Sequence, residues 1–170
     1  LQHRDGPVGI VLTRQKLPVL DRHVVAPASG LARGGYVLLD SDPLPLEIIL
    51  IATGSEVSLA LSAHGQLTSA GIGGRVVSLP SWELFEQQSQ HYRSRVLPPT
   101  VQARVAIEAA SPFGWERYVG NDGAIIGVNS FGASAPGPVV MREFGFTPEH
   151  VVEIAKQVLK RRYATRSTGD

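Results

Sequence analysis

The chain has 170 residues, 43% of them hydrophobic and 18% charged, which is typical of a folded globular domain. Its 16 basic and 15 acidic residues give a net charge of +1, which provides no electrostatic case for binding nucleic acid or a membrane surface, and no apolar run approaches the roughly 20 residues of a membrane span. The absence of cysteine excludes disulfides and thiolate metal sites and fits a reducing compartment, so we expect a cytoplasmic protein.

Six apolar runs of strand length recur along the chain, separated by stretches of helical period. Most are nearly continuous in Val, Ile, Leu and Ala, which is typical of strands covered on both faces by helices. The sequence therefore predicts an α/β fold, a three-layer α/β/α sandwich with a mostly parallel, mixed sheet of about five strands. The predicted strands are 9–13, 36–39, 48–53, 76–79, 104–108 and 124–128.

The first of these strands, 9–13, stands apart from the others. The segment at 21–35 has several proline and glycine residues and no sustained apolar period, which is typical of a connector. Because a lone strand cannot satisfy the hydrogen bonds at its edges, it needs a sheet outside this domain. We therefore divide the chain into the tail of an upstream domain at 1–22, a linker at 23–34, a complete domain at 35–163 and a flexible tail at 164–170.

Arg14 follows the predicted strand at 9–13, and ligands bind at the carboxyl ends of strands in open α/β sheets. Its guanidinium is planar and always charged, which suits bidentate recognition of a phosphate. A surface arginine paired with a neighbouring acid explains the residue equally well. The residues alone leave both interpretations open.

Two helices have recognisable ends. The first follows the strand at 48–53, with Ser55 at its N-cap and Glu56 in its first turn. Gly71 lies where a left-handed residue would end this helix. The last helix begins with Thr147 as its cap and a proline at its first helical position. The apolar stripe predicted for the last helix consists of Val151, Val152, Ile154, Ala155, Val158 and Leu159.

The strand-to-helix turn at Gly54 and Ser55 could bind an anion through its backbone N–H groups. Glu56 already supplies a negative charge there and would repel a phosphate, so we favour an ordinary capped helix. Glu108 ends a buried strand, where a carboxylate needs a partner or a raised pKa. We favour a structural hydrogen bond from Glu108 to the turn at 111–114.

The histidines and aromatic residues carry no catalytic signal. The histidines are far apart, with no metal-ligand pair and no evident nucleophile beside them, so we favour surface or structural roles. They are His3, His23, His64, His91 and His150.

The aromatic residues could line a ligand pocket, but we favour packing or a subunit contact. They are Trp82, Phe85, Tyr92, Phe113, Trp115 and Tyr118.

Five motifs in order along the chain carry a resemblance to a known family. They are TRQKLP at 13–18, IATGSEV at 51–57, PSWELF at 80–85, FGWERYVG at 113–120 and FGASAP at 131–136. With them, essentially residues 6–160 resemble the C-terminal domain of transketolases, preceded by the last strand of their pyrimidine-binding domain.

This resemblance implies a transferase of the pentose phosphate pathway that moves a two-carbon ketol unit between sugar phosphates. Such enzymes are cytoplasmic homodimers that use thiamine diphosphate with Mg or Ca. The resemblance also implies that Arg14 binds the phosphate of the sugar substrate, although Lys16 stands where the family often has asparagine. The family's catalytic, cofactor-binding and metal-binding residues lie in upstream domains, so none is assigned here.

Two functional hypotheses follow from this resemblance. In the first, the chain is the C-terminal part of a transketolase, contributes architecture and dimer contact, binds no cofactor by itself and is inactive alone. In the second, it is a free-standing regulatory or nucleotide-binding domain of the same fold. The predicted orphan strand with its arginine favours the first hypothesis, because an independent domain has little use for either.

Overall fold

The structure, a computed structural model, describes residues 6–167, with side chains described as far as residue 164. A short 3-10 helix at Ala28–Arg33 precedes the longer elements. The strands are β1 (Tyr36–Asp40), β2 (Ile48–Ala52), β3 (Gly74–Ser78), β4 (Arg104–Ile107) and β5 (Ala124–Ile126). The helices are α1 (Glu56–Ser69), α2 (Trp82–Glu86), α3 (Gln90–Val96), α4 (Glu116–Val119), α5 (Gly137–Glu143) and α6 (Pro148–Ser167).

The five strands form one mixed sheet in the order β1–β3–β2–β4–β5. β1 is antiparallel to β3, and the other neighbouring strands are parallel. β2 is fully buried from Ile48 to Ala52, because it has a strand on each side and a packed core on each face. The predicted α/β fold with a mostly parallel, mixed sheet is therefore confirmed, and β1 to β5 lie within two residues of their predicted bounds.

Helices cover both faces of the sheet and form a separate core on each. Leu50 of β2 packs in one core with Leu67 of α1 and Val158 of α6. Ile51, the next residue of β2, packs in the other core with Trp115. This alternation follows from the strand period of two residues. The predicted three layers are therefore present.

The predicted ends of α1 and α6 are largely correct. Gly71 follows α1 with φ +78°, the left-handed conformation expected of a residue that ends a helix. The Thr147 hydroxyl accepts a hydrogen bond from the His150 N–H at 3.2 Å. Ser55 is the N-cap of α1 but its side chain does not cap the helix, because its hydroxyl donates to Glu56 instead. In the stripe of α6, Val151, Ala155, Val158 and Leu159 are buried, whereas Val152 and Ile154 are partly buried.

The strand predicted at 9–13 is absent from the described residues. Residues 7–13 have no regular structure, and Ile10, Val11 and Leu12 are 60%, 97% and 81% exposed. The sequence pattern there is that of a strand, but a strand forms only where a neighbour accepts its hydrogen bonds. No strand of the described sheet lies beside this segment.

The segment at 23–34, predicted as a linker, packs against the domain. Val25 is buried in the core between the sheet and α6, and the Ala26 N–H donates to the Leu38 carbonyl at 2.9 Å. At the other terminus α6 continues to Ser167. Residues 1–5 and 168–170, on which the predicted outer segments partly fall, lie outside the described residues. The domain limits therefore stay a prediction.

None of the described helices combines the length and apolar character that crossing a membrane requires.

Candidate functional site

The carboxyl edge of the parallel strands brings together polar side chains that are far apart in the sequence. Thr53 follows β2 and Glu108 follows β4, and these strands are neighbours. The Thr53 hydroxyl donates a hydrogen bond to Glu108 Oε2 at 2.9 Å. This is the edge at which open α/β sheets bind ligands. The partner predicted for Glu108, the turn at 111–114, is wrong, because the adjacent parallel strand β2 ends beside β4 and places the Thr53 hydroxyl at the carboxylate.

Burial raises the pKa of Glu108 above its ordinary value, and the negative charge of Glu56 acts in the same direction. The hydrogen bond from Thr53 opposes both effects because it stabilises the carboxylate. The sequence predicts either a partner or a raised pKa for Glu108, and the structure shows a Thr53 partner together with a raised pKa. Because its pKa is raised, this carboxyl group keeps its proton to a higher pH than an exposed glutamate does.

Glu56 occupies the place at which an anion would bind at the start of α1. It is 3% exposed, and its Oε1 accepts a hydrogen bond from the Ser55 hydroxyl at 2.6 Å. Its Oε2 accepts from the Ala109 N–H at 3.3 Å, which ties the loop after β4 to α1. The negative charge of this buried carboxylate interacts favourably with the positive end of the helix dipole. The same charge would repel a phosphate. The preference for an ordinary helix start over an anion site is consistent with this geometry.

The described residues do not fit thiamine diphosphate with its metal ion. Within 6–167 no group of three His, Asp or Glu side chains is placed to hold a metal. The carboxyl edge carries Glu56 and Glu108, whose charge disfavours a diphosphate there. A cofactor of this kind would need binding groups from elsewhere.

Arg14 forms no hydrogen bond or ion pair with Thr53, Glu56 or Glu108. It is exposed in the extended N-terminal segment and has no hydrogen-bond or ion-pair partner among the described residues, so the interpretation as a paired surface arginine finds no acid there. The neighbouring Gln15 Oε1 lies 3.9 Å from the point at which a Cβ on Gly137 would stand, so the segment passes the start of α5. The predicted phosphate-binding role of Arg14 stays a prediction.

His64 forms a buried polar cluster that the sequence did not reveal. Its Nε2 lies 2.8 Å from the Ser41 hydroxyl and 3.1 Å from the Gly74 carbonyl. The Ser41 hydroxyl also accepts from the Gly74 N–H at 3.1 Å and lies 2.6 Å from the Thr68 hydroxyl. Burial lowers the pKa of His64, against smaller opposing effects of the Gly74 carbonyl and the Asp40 charge.

This cluster is structural because of the direction of its hydrogen bonds. A carbonyl only accepts, so His64 Nε2 must carry the proton and donate to Gly74. Nε2 therefore cannot take a proton from Ser41, and the pair lacks the base–nucleophile relation that acyl transfer requires. The structural role favoured for His64 from the sequence is thus consistent with the geometry.

The other histidines add no catalytic group. His150 Nδ1 lies 2.8 Å from the Gly145 carbonyl, a contact that joins the start of α6 to the turn before it. His23 and His91 are exposed, and His3 lies outside the described residues.

Five of the six aromatic residues pack together on the face of the sheet that α2 to α4 cover. The rings of Trp82 and Trp115 meet edge to face, with centroids 5.1 Å apart, and the Tyr118 ring lies 5.5 Å from that of Trp82. Phe85 contacts the rings of Tyr118 and Tyr92. The packing role is therefore confirmed for these five residues. The sixth aromatic residue, Phe113, is 85% exposed and takes no part in this core.

Comparison with known proteins identifies the family. The family model described as the transketolase-like TK C-terminal domain matches residues 34–147. The transketolase of Halalkalibacterium halodurans is 47% identical over 95% of this chain and 24% of its own length. That of Aquifex aeolicus is 48% identical over 89% of this chain and 22% of its own.

Solved structures agree. A Pichia stipitis transketolase in complex with sedoheptulose 7-phosphate is 39% identical, with a TM-score of 0.79 over 89% of this chain and 21% of that one. The Leishmania mexicana transketolase is 42% identical, with a TM-score of 0.71 over 78% of this chain and 19% of that one. The chain spans less than a quarter of the length of the curated relatives described above. On the match to residues 34–147 and the shared fold, this chain belongs to the transketolase family and contains the family's C-terminal domain.

Proposed function

We propose that this chain is the C-terminal domain of a longer transketolase, which transfers a two-carbon ketol unit from a ketose phosphate to an aldose phosphate. The observation that carries this proposal is the 47–48% identity to curated transketolases over about nine-tenths of the chain. Identity at this level over a whole domain supports a shared reaction as well as a shared fold. The longer enzyme acts as a cytoplasmic homodimer in the pentose phosphate pathway.

In that enzyme, the chain contributes architecture and dimer contact, and the rest of the polypeptide holds thiamine diphosphate with Mg or Ca. The cofactor supplies the group that carries the two-carbon unit. The assignment of the cofactor to the rest of the polypeptide is supported by the charge of this chain. Glu56 and Glu108 place carboxylates at the carboxyl edge of its sheet, and these would repel a diphosphate. By itself the chain is therefore inactive in ketol transfer.

Arg14 is the one residue of the chain that we assign to substrate, as a ligand of the sugar phosphate. Its guanidinium is exposed and free of acidic partners among the described residues, so its charge is available. The apolar segment at 9–12 before it has the composition of a strand and no sheet to join within 6–167. Pairing of this segment with an upstream sheet would bring Arg14 to the carboxyl end of that sheet.

The test is a ketol-transfer assay with xylulose 5-phosphate and ribose 5-phosphate, in the presence of thiamine diphosphate and Mg²⁺. The longer protein that contains this chain should turn over these sugars, and the 170-residue chain alone should not. Turnover by the chain alone would contradict its inactivity. A longer protein that folds and binds the cofactor but does not turn over would contradict the proposed reaction.

A further inference from the structure

A cavity of about 230 Å³ opens between α2, α3 and α4, near the amino end of β4. Three arginines and one glutamate line it: Arg93, Arg104, Arg117 and Glu86. The volume is below the roughly 300–1,000 Å³ of sites for drug-sized ligands, so the cavity admits only a compact molecule. Because arginines outnumber carboxylates in its lining, the cavity favours an anion.

The single carboxylate of the cavity is already satisfied within the protein. Glu86 Oε1 accepts a hydrogen bond from the Tyr118 hydroxyl at 3.1 Å. Glu86 Oε2 accepts from Arg93 Nη1 in an ion pair. Burial raises the pKa of Tyr118 to about 12, and the bond to Glu86 acts in the same direction, so the phenol keeps its proton and remains a donor. Glu86 therefore neutralises one arginine, Arg93, and no more.

Arg104 is held in place by carbonyl groups and not by a counter-ion. Its Nε donates to the Val101 carbonyl at 2.8 Å, and its Nη1 donates to the Tyr118 carbonyl at 2.8 Å. Its Nη2 donates to the carbonyls of Leu97 and Pro98. These four bonds fix the guanidinium but leave its charge unpaired, and at least one of its five N–H groups without an acceptor. The residue is thus a rigid cation at the wall of the cavity.

Arg117 is exposed, and its guanidinium lies over one aromatic ring. Its guanidinium lies 5.6 Å from the centroid of the Trp82 ring, and its charge also acts on the Tyr118 phenol. Within the described part of the chain neither Arg104 nor Arg117 forms an ion pair. The positive charges of Arg104 and Arg117, neither of them paired with a carboxylate, thus border one small cavity.

We propose that this cavity is a binding site for a small phosphate-bearing molecule, held through its phosphate by Arg93, Arg104 and Arg117. A phosphate dianion would balance the two unpaired charges and accept from the unused guanidinium N–H groups. The carbonyl contacts hold Arg104 in place in advance, so little of its side-chain entropy is lost on binding. The site lies at the amino end of β4 and does not depend on the proposed reaction.

Titration of the 170-residue chain with inorganic phosphate tests this site by ¹H–¹⁵N NMR, at constant ionic strength and at a pH that keeps phosphate dianionic. The backbone N–H signal of Arg104 reports on the cavity, because this residue lines it and is unchanged in the variants tested. We expect a saturable shift of this signal, and no such shift with acetate. Arg117→Gln should weaken phosphate binding about tenfold or more, the loss expected for one charge-assisted contact.

Arg95→Gln is the matched control, because Arg95 is exposed on α3, does not line the cavity and loses the same charge. It should bind phosphate as the unsubstituted chain does, and the thermal unfolding of both variants should show that they fold. A linear shift without saturation, an equal shift with acetate, or equal weakening by Arg95→Gln would each overturn the proposal.

Discussion

Glu108 combines a partly buried carboxyl group, a hydroxyl donor from Thr53 and the nearby negative charge of Glu56. Its pKa is raised in the folded chain, so folding favours its protonated form. The stability that this gives is present below the ordinary value of 4.5 and is lost as the pH rises through the pKa of the folded state. At neutral pH the charged form of Glu108 therefore costs stability.

Glu108→Gln removes this charge and leaves an amide oxygen that can accept from Thr53. We expect the variant to match the unsubstituted chain below pH 4.5 and to unfold at a higher temperature near neutral pH. The rise should be about 2–4 °C, the shift that ~1 kcal/mol produces in a domain of this size. Calorimetry over a pH series measures it.

Glu143→Gln is the control for this comparison, since Glu143 is exposed on α5 and should show no such pH dependence. A Glu108→Gln variant whose unfolding temperature is lowered at neutral pH and unchanged in acid would contradict the interpretation. The charged carboxylate would then stabilise the folded chain through its hydrogen bond from Thr53, and its partial burial would not lower the free energy of unfolding.

The segment before β1 is docked on the domain through the residue that ends its 3-10 helix. Gly34 has φ +78°, and a Cβ on it would lie 2.3 Å from the Phe85 N atom and 2.4 Å from the Ser81 carbonyl oxygen. Both atoms belong to the backbone at α2, so they cannot move aside as a side chain would. Only glycine fits this close approach.

Gly34→Ala should therefore be strongly destabilising, and two other glycines separate the causes. Gly71 has the same φ of +78° with no atom within 4 Å of the position that an alanine methyl would take, so Gly71→Ala measures the backbone cost alone, about 1–2 kcal/mol. Gly65 lies within α1 in open space, and Gly65→Ala should stabilise the chain by about 0.5–1 kcal/mol. Denaturant unfolding compares the three variants.

The expected order of stability is Gly65→Ala above the unsubstituted chain, then Gly71→Ala, and Gly34→Ala lowest. If Gly34→Ala and Gly71→Ala lowered the free energy of unfolding equally, the close contact of Gly34 with α2 would contribute nothing measurable to stability. The segment at 23–34 would then be held to the domain by its other contacts, such as buried Val25, and not by the close approach at Gly34.

The parts of the fold that depend on local pattern could be predicted from the sequence, and those that depend on distant neighbours could not. β2 was recognisable because its apolar run needs cover on both faces, and α6 because its cap, proline and apolar stripe all agree. The segment at 9–13 has an equally good strand pattern, but within the described residues it has no neighbouring strand and is irregular, so its pairing with an outside sheet stays a prediction.

Candidate sites follow the same division. The sequence showed that Glu108 needed a partner, but Thr53 is 55 residues away and meets it only because β2 and β4 are adjacent. The arginines of the cavity come from α3, β4 and α4, and no local spacing connects them. Arg14 was found from its place after an apolar run and from the TRQKLP motif, signals that do not require the rest of the fold.

On the scale of the whole molecule, we propose that the chain is a scaffold that lends one guanidinium to an active centre built by other parts of a longer enzyme. The chain matches less than a quarter of the length of its curated relatives, so that centre can be tested only in the longer protein. The most direct measurement is the KM of Arg14→Ala for phosphorylated sugars in that protein, with Arg22→Ala, an exposed arginine of the same segment, as control.

We predict that Arg14→Ala raises the KM for xylulose 5-phosphate and ribose 5-phosphate about ten- to a hundredfold, the equivalent of roughly 1.5–3 kcal/mol for a charge-assisted hydrogen bond. The KM for an acceptor without phosphate, such as glycolaldehyde, should not change, and Arg22→Ala should behave as the unsubstituted enzyme. An unchanged KM for the phosphorylated sugars in Arg14→Ala would contradict the assignment of this arginine to the substrate.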